Sequence, residues 1–247
     1  MLDLIRKRIL ANEPPNYLTP GSTAVVSFGD FTKSTIATLS INPSSKEFYS
    51  GKRLIRQPDK RLVDKETLGL RNSEAVRDEH WEAVWEGCKN YFSPTGKPYF
   101  WFDDLQIVLG YLNVNYKNNS ACHLDLVQWA TTPSWKSVPA DAQSNFLKHD
   151  ADFFQAQINS KNLDVIVING SLVFEVVAKT AGFDLRKIEP IYYSYKGRST
   201  PNYRFVGKGP NGKKVIGWTG TLRNMRVDNP TRIAHCHELG EWLVKEL

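Results

Sequence analysis

The sequence predicts an α/β protein with a single domain over residues 1–247 and a central, mainly parallel β-sheet flanked by helices on both faces. Short β-branched runs are typical of buried strands, and amphipathic segments with helical spacing lie between them. With 41% hydrophobic and 12% aromatic residues, the chain can bury a full core. Residues 1–22 are predicted to form an N-terminal helix or extension of this domain.

The predicted elements alternate along the chain. The runs "AVVSF" (24–28) and "STIATLSI" (34–41) predict two opening strands joined by a short turn or hairpin. Apolar spacing predicts helices over 73–92, 101–112 and 144–160, and a strand over 121–130. The clearest buried strand is "LDVIVING" (163–170), and "SLVFEVVAKTAG" (171–182) predicts a helix after it. Strands that alternate with helices favour a parallel sheet.

Charge and cysteine content limit the classes of function. Lys and Arg outnumber Asp and Glu by 32 to 26, which favours a polyanionic partner. Three scattered cysteines fit neither a disulfide framework nor a zinc or iron-sulfur ligand set. We expect no metal and no cofactor. The start "MLDLIRKRIL" lacks the apolar core of a signal peptide, and no run of about 18 apolar residues follows. A cytoplasmic protein without membrane contact is expected.

The composition shifts towards the carboxyl end. Residues 186–226 hold ten Lys or Arg, one acid and six aromatic residues, a pattern typical of a surface that follows a nucleic-acid backbone and stacks on bases. The alternative is a solvated β-hairpin with tyrosines packed beneath it. A second basic stretch covers residues 52–65.

One strand ends in a conspicuous polar pair. The run "ATLSINPSS" leads from an apolar strand into Asn42 and Pro43. Proline restricts the residue before it to extended backbone angles, so the Asn42 carboxamide is held in one direction. Ligands of open α/β sheets bind where strands end, and a carboxamide can hold a water molecule there. The alternative is an Asx turn that only ends the strand.

Four segments in order, "SINPSS", "HLDLVQWATTP", "LDVIVINGS" and "VIGWTGTLRNMR", resemble the uracil-DNA glycosylase superfamily. The resemblance covers roughly residues 34–247 and is closest to the mismatch-specific uracil/thymine branch, whose first motif is Gly-Ile-Asn-Pro-Gly. The matching residues are Ile41, Asn42 and Pro43, with Ser40 and Ser44 in place of the glycines. The resemblance implies that Asn42 positions the water that attacks the sugar, and that double-stranded DNA is the partner. A monomer is expected.

The last family motif, usually His-Pro-Ser followed by a wedge residue, is replaced here by "WTGTLRNMR". Leu222 or Met225 is the candidate wedge that enters the base stack. The candidate DNA contacts are Lys46, Thr221, Leu222, Arg223, Met225 and Arg226. The candidate residues of the base pocket are Ile41, Pro43, Ser44, Phe48, Tyr49 and Asn169, with Phe48 or Tyr49 either stacking on the base or belonging to the core.

The middle motif differs from the family in the base-reading residue. Several branches carry an asparagine where this chain has Asp125. An ionised carboxylate only accepts hydrogen bonds, so it repels the O4 of uracil and suits the exocyclic amine of cytosine. The alternative is that Asp125 pairs with a neighbouring arginine. His123, two residues earlier on the same strand face, either supplies a proton or is a packed strand residue.

Ordinary cytosine is excluded as a target, because its removal would destroy the host genome. One group that resembles this superfamily excises glucosylated 5-hydroxymethylcytosine from phage DNA as an antiviral defence. We therefore expect a DNA glycosylase, a hydrolase of N-glycosyl bonds, that flips out a modified cytosine and leaves an abasic site. A uracil/thymine mismatch repair glycosylase and a non-catalytic reader of modified bases are the alternatives.

Overall fold

The computed structural model describes residues 1–14, 16–94, 96–180 and 182–247. Pro15 of the predicted N-terminal extension and Ala181 of the predicted helix over 171–182 lie outside the described residues. The described chain divides into two compact units. Unit 1 contains residues 1–32, 41–99 and 123–157, and unit 2 contains residues 33–40, 100–122 and 158–247.

The helices and strands form an α/β fold with a six-stranded, mostly parallel central sheet, which confirms the predicted class. The α-helices are α1 (Leu2–Ile9), α2 (Trp81–Lys89), α3 (Asp103–Gly110), α4 (Ala140–Ile158), α5 (Ser171–Val177) and α6 (Asn229–Glu246). The strands are β1 (Ile36–Ser40), β2 (Tyr49–Ser50), β3 (Arg53–Leu54), β4 (Ala121–Asp125), β5 (Val165–Asn169), β6 (Asp184–Tyr195), β7 (Arg198–Lys208) and β8 (Lys214–Trp218). No described helix has the length and apolar character needed to cross a membrane.

The sheet has the strand order β4-β1-β5-β8-β7-β6. β1 pairs with β5 and β5 with β8 in parallel, whereas β7 is antiparallel to both β8 and β6. β1 and β4 also run in parallel, because hydrogen bonds join the residues just before both strands and the residues just after both strands. The Thr35 amide donates to the Ser120 carbonyl at the start, and the Val127 amide donates to the Ile41 carbonyl at the end. The four parallel strands thus stand in chain order 2-1-3-4, and the order reverses at β1.

The predicted opening hairpin is wrong. Residues 24–28 are buried and pair with the chain after the start of β4, because the Phe28 and His123 backbones exchange both hydrogen bonds and the Val25 amide donates to Gln128. The apolar pattern of a buried segment does not specify its partner.

Several other predicted elements are shorter than expected, among them the helix over 171–182, which ends at Val177. The helix over 73–92 forms only as α2, after an extended Arg77 (φ −94°, ψ 165°) and a short 3₁₀ turn in which Asp78 binds Arg6 of α1 at 2.7 Å. The strand over 121–130 ends at Asp125, and residues 126–131 continue as a buried segment without regular structure.

The basic carboxyl-terminal stretch forms the β6–β7 hairpin and β8. Tyr192 and Tyr203 are 59% and 45% exposed, so these two tyrosines are not packed beneath the hairpin. Gly207 is required on β7, because a Cβ atom there would lie 2.0 Å from the Asp184 carbonyl oxygen of β6.

In unit 1, a buried carboxylate anchors the segment 126–131. Asp150 of α4 is fully buried and accepts hydrogen bonds from the Arg8 guanidinium of α1 at 2.5 Å and from the Gln128 amide at 2.6 Å. The Arg8 guanidinium also lies 5.2 Å from the centre of the Trp129 ring. One carboxylate therefore joins two helices to the segment.

We expect Asp150→Ala to lower the free energy of unfolding by about 3–5 kcal/mol, because it leaves the Arg8 guanidinium buried without its counter-charge. Urea unfolding of wild type and variant measures the difference. Asp152→Ala, which removes an exposed carboxylate from the same helix, is the matched control. A loss below about 1 kcal/mol for Asp150→Ala would contradict the anchoring role.

Candidate active site

Asn42 follows β1, where the strand order of the sheet reverses. Open α/β sheets bind their ligands at the carboxyl ends of strands at such a reversal. The Asn42 Nδ2 atom donates to the carbonyls of Trp129 at 3.2 Å and Pro43 at 3.0 Å, and lies 3.2 Å from Thr131 Oγ1. Because carbonyl oxygens only accept hydrogen bonds, these contacts determine which way the amide faces.

The Asn42 Oδ1 atom accepts no hydrogen bond from any residue that the structure describes. The Asx turn, in which this oxygen would accept from the backbone two residues on, is therefore not formed within the described chain. The half-buried side chain presents a fixed oxygen acceptor at the end of the strand.

The loop after Asn42 is held on both sides. The Ile41 carbonyl accepts from the Val127 amide at 2.9 Å, and Ser44 forms a parallel bridge with Thr131. Pro43 is buried, while Ser44 and Lys46 are exposed. The Ser44 hydroxyl caps the 3₁₀ turn Ser45–Glu47 by accepting from the Lys46 amide at 3.2 Å.

That turn directs Glu47 into the interior. Its side chain accepts a hydrogen bond from the Tyr91 hydroxyl at 2.6 Å, and the residue is 4% exposed. Burial raises the pKa of Glu47 to about 7, against the Tyr91 hydrogen bond and the charge of Arg61, which lower it. The pKa of Tyr91 is raised well above its usual value, first by burial and then by Glu47.

Glu47 is not among the residues predicted from the sequence, because an acid next to a lysine is typical of a solvated surface. One signal was available: Glu47 is the only acid between residues 41 and 56. A lone carboxylate in an otherwise basic and apolar stretch is a candidate for a specific role.

Asp125 ends β4, and both it and His123 are buried. The Asp125 Oδ1 atom lies 3.6 Å from His123 Nε2, which is beyond hydrogen-bond distance. Burial raises the pKa of Asp125, and the neighbouring His123 opposes this shift. Among the described residues, the basic side chain within 4.0 Å of the Asp125 carboxyl is this histidine and not an arginine.

The ends of β1 and β4 bring these groups to one edge of the sheet, since the two strands are parallel neighbours. The charge of Asp125 also contributes to the raised pKa of Glu47. Unit 1 therefore combines a fixed amide oxygen with two buried carboxyls that retain protons more readily than exposed ones. Such groups are suited to orienting water and to transferring protons.

The two aromatic candidates for the base pocket differ in exposure. Phe48 is 2% exposed and belongs to the core of unit 1. Tyr49 is half-buried, and its hydroxyl donates to the Pro20 carbonyl at 3.0 Å. Tyr49 is therefore the more accessible of the two.

The remaining predicted residues lie in unit 2. Asn169 Oδ1 accepts from the Trp218 indole at 2.9 Å and from the Leu222 amide at 3.2 Å, which is a structural role. Leu222 and Met225 are both buried, so either one would have to leave its packing to enter a base stack. The Thr221 side chain packs closely against Gly170, because a Cβ atom at Gly170 would lie 2.5 Å from Thr221 Oγ1.

The two predicted DNA-binding arginines of unit 2 have different surroundings. Arg223 lies 3.4 Å from the buried Asp104 carboxylate and 4.5 Å from the centre of the Phe100 ring. Arg226 is exposed. Of these two arginines, Arg226 is the one that is exposed and forms no ion pair with a described residue.

The described residues contain no group of three His, Cys, Asp or Glu side chains arranged to hold a metal ion. Burial raises the pKa of Cys88 to about 11 and that of Cys236 to about 12, so neither thiol is an effective nucleophile at neutral pH. No protein-family model matches this chain, and a comparison with curated proteins finds no match.

We expect the Glu47 carboxyl to contribute a fall of about 2.5 kcal/mol in the free energy of unfolding as the pH rises from 5 to 8. The folded state retains the Glu47 proton up to about pH 7, whereas the unfolded state releases it near the ordinary glutamate pKa of 4.5, so the stabilisation is lost through this window. Asp125, whose pKa burial raises, contributes in the same direction, whereas His235, whose pKa burial lowers, contributes in the opposite direction. Glu47→Gln should therefore flatten the dependence without abolishing it, as measured by urea unfolding across the range.

The matched control is Glu241→Gln, which changes an exposed glutamate and should leave the pH dependence as in wild type. An unchanged slope in Glu47→Gln would show that the carboxyl is ionised in the folded protein throughout this range.

Proposed function

We propose that this protein is a DNA glycosylase that hydrolyses the N-glycosidic bond of a flipped, modified base and leaves an abasic site. The preferred target is a cytosine-derived base such as glucosylated 5-hydroxymethylcytosine in phage DNA. The observation that carries the proposal is the Asn42 carboxamide, whose nitrogen is anchored and whose oxygen accepts no hydrogen bond from the described residues. The resemblance of the four sequence segments to the uracil-DNA glycosylase superfamily supports the same function.

The proposed reaction needs a positioned water molecule. Asn42 Oδ1 accepts a hydrogen bond from this water and aims its oxygen at the anomeric carbon C1′. The C1′–N1 bond breaks with its electron pair going to the base, and an oxocarbenium-like sugar forms in the transition state. The water oxygen bonds to C1′ and its surplus proton passes to solvent, because an amide is not a base.

Asp125 is proposed to read the base and to assist its departure. Cytosine presents an acceptor at N3 and a donor at its exocyclic amine. A carboxyl group facing this edge shares one proton with N3 and accepts from the amine, and the raised pKa of Asp125 favours a carboxyl that carries this proton. A proton on N3 stabilises the departing base. We propose that His123 returns a proton to Asp125; its Nε2 atom lies 3.6 Å from the carboxyl, so the two groups must first move into hydrogen-bond distance.

A uracil/thymine repair glycosylase is the second candidate, and one observation favours it. A carboxyl kept neutral by burial has one donor and one acceptor, so it can also bind the O4 and N3–H of uracil. Uracil already carries a proton on N3, so Asp125 would bind this base without protonating it there.

The surface of unit 2 supports a nucleic-acid partner. The β6–β7 hairpin carries the exposed Tyr192 and Tyr203 within the basic stretch 186–226. Aromatic rings among cations are suited to stacking on bases next to a phosphate backbone.

We expect Asn42→Ala to reduce excision on the order of a hundredfold or more, because the attacking water loses its orienting group. The measurement is cleavage at abasic sites in matched duplexes that contain glucosylated hydroxymethylcytosine, cytosine or uracil. Asn90→Ala, which removes an exposed amide after α2, is the control. Excision by Asn42→Ala at the wild-type rate would remove Asn42 from the mechanism. If wild type binds modified DNA but produces no abasic sites, the protein is a non-catalytic reader.

We expect Asp125→Asn to lower excision of the cytosine-derived base and to raise relative activity on uracil by roughly tenfold to a hundredfold. Asparagine has nearly the same shape, but it supplies no proton to N3 and donates to uracil O4. Initial rates on the same duplexes give the ratio, with Asp141→Asn as an exposed control on α4. A wild-type preference for uracil, or equal losses on both bases, would favour the repair glycosylase.

A further inference from the structure

A basic cleft lies beside the β2–β3 hairpin of unit 1. Its volume is about 380 Å³, which falls within the size range of ligand sites. The charged residues that line it are four cations and one acid: Arg53, Arg56, Arg61, Lys97 and Asp59. The lining therefore carries an excess of positive charge.

The hairpin turn positions Arg53 at this cleft. Ser50 pairs with Arg53, so Gly51 and Lys52 form a two-residue turn. Gly51 has φ +61°, and a Cβ atom there would meet nothing within 4 Å, so the turn needs glycine for its backbone conformation and not for space. Arg53 is exposed and forms no ion pair with any described residue.

The other cations differ in how firmly they are held. Arg61 donates to the Lys46 carbonyl at 2.7 Å and lies 5.2 Å from the centre of the Tyr99 ring, so it is fixed against the loop that follows Asn42. Lys97 pairs with Asp59 at 2.5 Å, and Arg56 pairs with Glu66 at 3.0 Å, all at exposed positions. Exposed pairs of this kind are weak and exchange readily with an anionic ligand.

We propose that this cleft binds the phosphodiester backbone of nucleic acid. Guanidinium groups match the geometry of phosphate oxygens, and a row of cations that is only partly neutralised attracts a polyanion. The contact between Arg61 and the Lys46 carbonyl places the cleft next to the loop that carries Asn42. The inference deepens the proposed function and rests on it only in taking nucleic acid as the partner, because phosphate contacts are independent of the base that is read.

The test uses a fluorescently labelled duplex without any target base, so binding is measured in the absence of excision. Arg53→Ala should weaken duplex binding about threefold to tenfold and reduce the salt slope by about one. Asp59→Asn should tighten binding severalfold, because it frees Lys97 and raises the positive charge of the cleft. A gain of affinity cannot be caused by misfolding.

Two controls separate this site from general electrostatics and from a site for small anions. Arg71→Ala removes an exposed cation of unit 1 outside the cleft lining and should change affinity less than about twofold. Wild type and these variants are also titrated with inorganic phosphate, and their affinities for phosphate should follow the same order as their affinities for the duplex. Equal effects of Arg53→Ala and Arg71→Ala would overturn the proposal, as would a change in phosphate affinity with duplex affinity unchanged.

The outcome is distinguishable from failure of the proposed function. If Asn42→Ala leaves excision intact but the cleft variants shift duplex binding as stated, the cleft proposal holds and the role of Asn42 fails. If excision depends on Asn42 but the cleft variants leave duplex binding unchanged, the cleft proposal fails.

Discussion

The buried carboxylate of Asp150 is the interaction on which the candidate site depends. It binds the Arg8 guanidinium and the Gln128 amide, and so holds the irregular segment 126–131 against two helices. That segment supplies the Trp129 carbonyl and the Thr131 hydroxyl that orient Asn42. A buried ion pair contributes little net stability, but removal of one partner is costly, so we infer that this pair serves to specify one arrangement. Two of the three groups that orient the Asn42 amide thus belong to a segment that a charge pair elsewhere in unit 1 holds in place, and the third is the Pro43 carbonyl.

The same unit keeps two carboxyls in an environment that disfavours their charge. Glu47 and Asp125 both have raised pKa values, and burial is the main cause for each. Placing ionisable groups there lowers stability at neutral pH, whereas apolar side chains of similar size would avoid this cost. Carboxyls with perturbed pKa values are found at functional sites more often than elsewhere in proteins. The two carboxyls near these strand ends are therefore consistent with the proposed hydrolysis.

Positive charge is distributed over both units in different forms. In unit 1 it lines a cleft around Arg53 and Arg61, and in unit 2 it follows the long β6–β7 hairpin with its exposed tyrosines. Cations that are paired with buried acids, such as Arg223 with Asp104, contribute to packing and are poor candidates for DNA contacts. The net charge alone does not distinguish these roles, because it counts paired and unpaired cations equally.

The amino-acid sequence by itself determined the α/β class, the strand β5 with its helix α5, and the position of Asn42 at a strand end. These features depend on local causes, namely apolar periodicity and the restriction that Pro43 places on its neighbour. Only the tertiary structure decided that residues 24–28 pair beside β4, that Glu47 turns inward to Tyr91, and that Leu222 is buried. Each of these depends on which distant groups satisfy a side chain or a backbone amide, and such long-range pairing leaves no periodic signal in a single sequence.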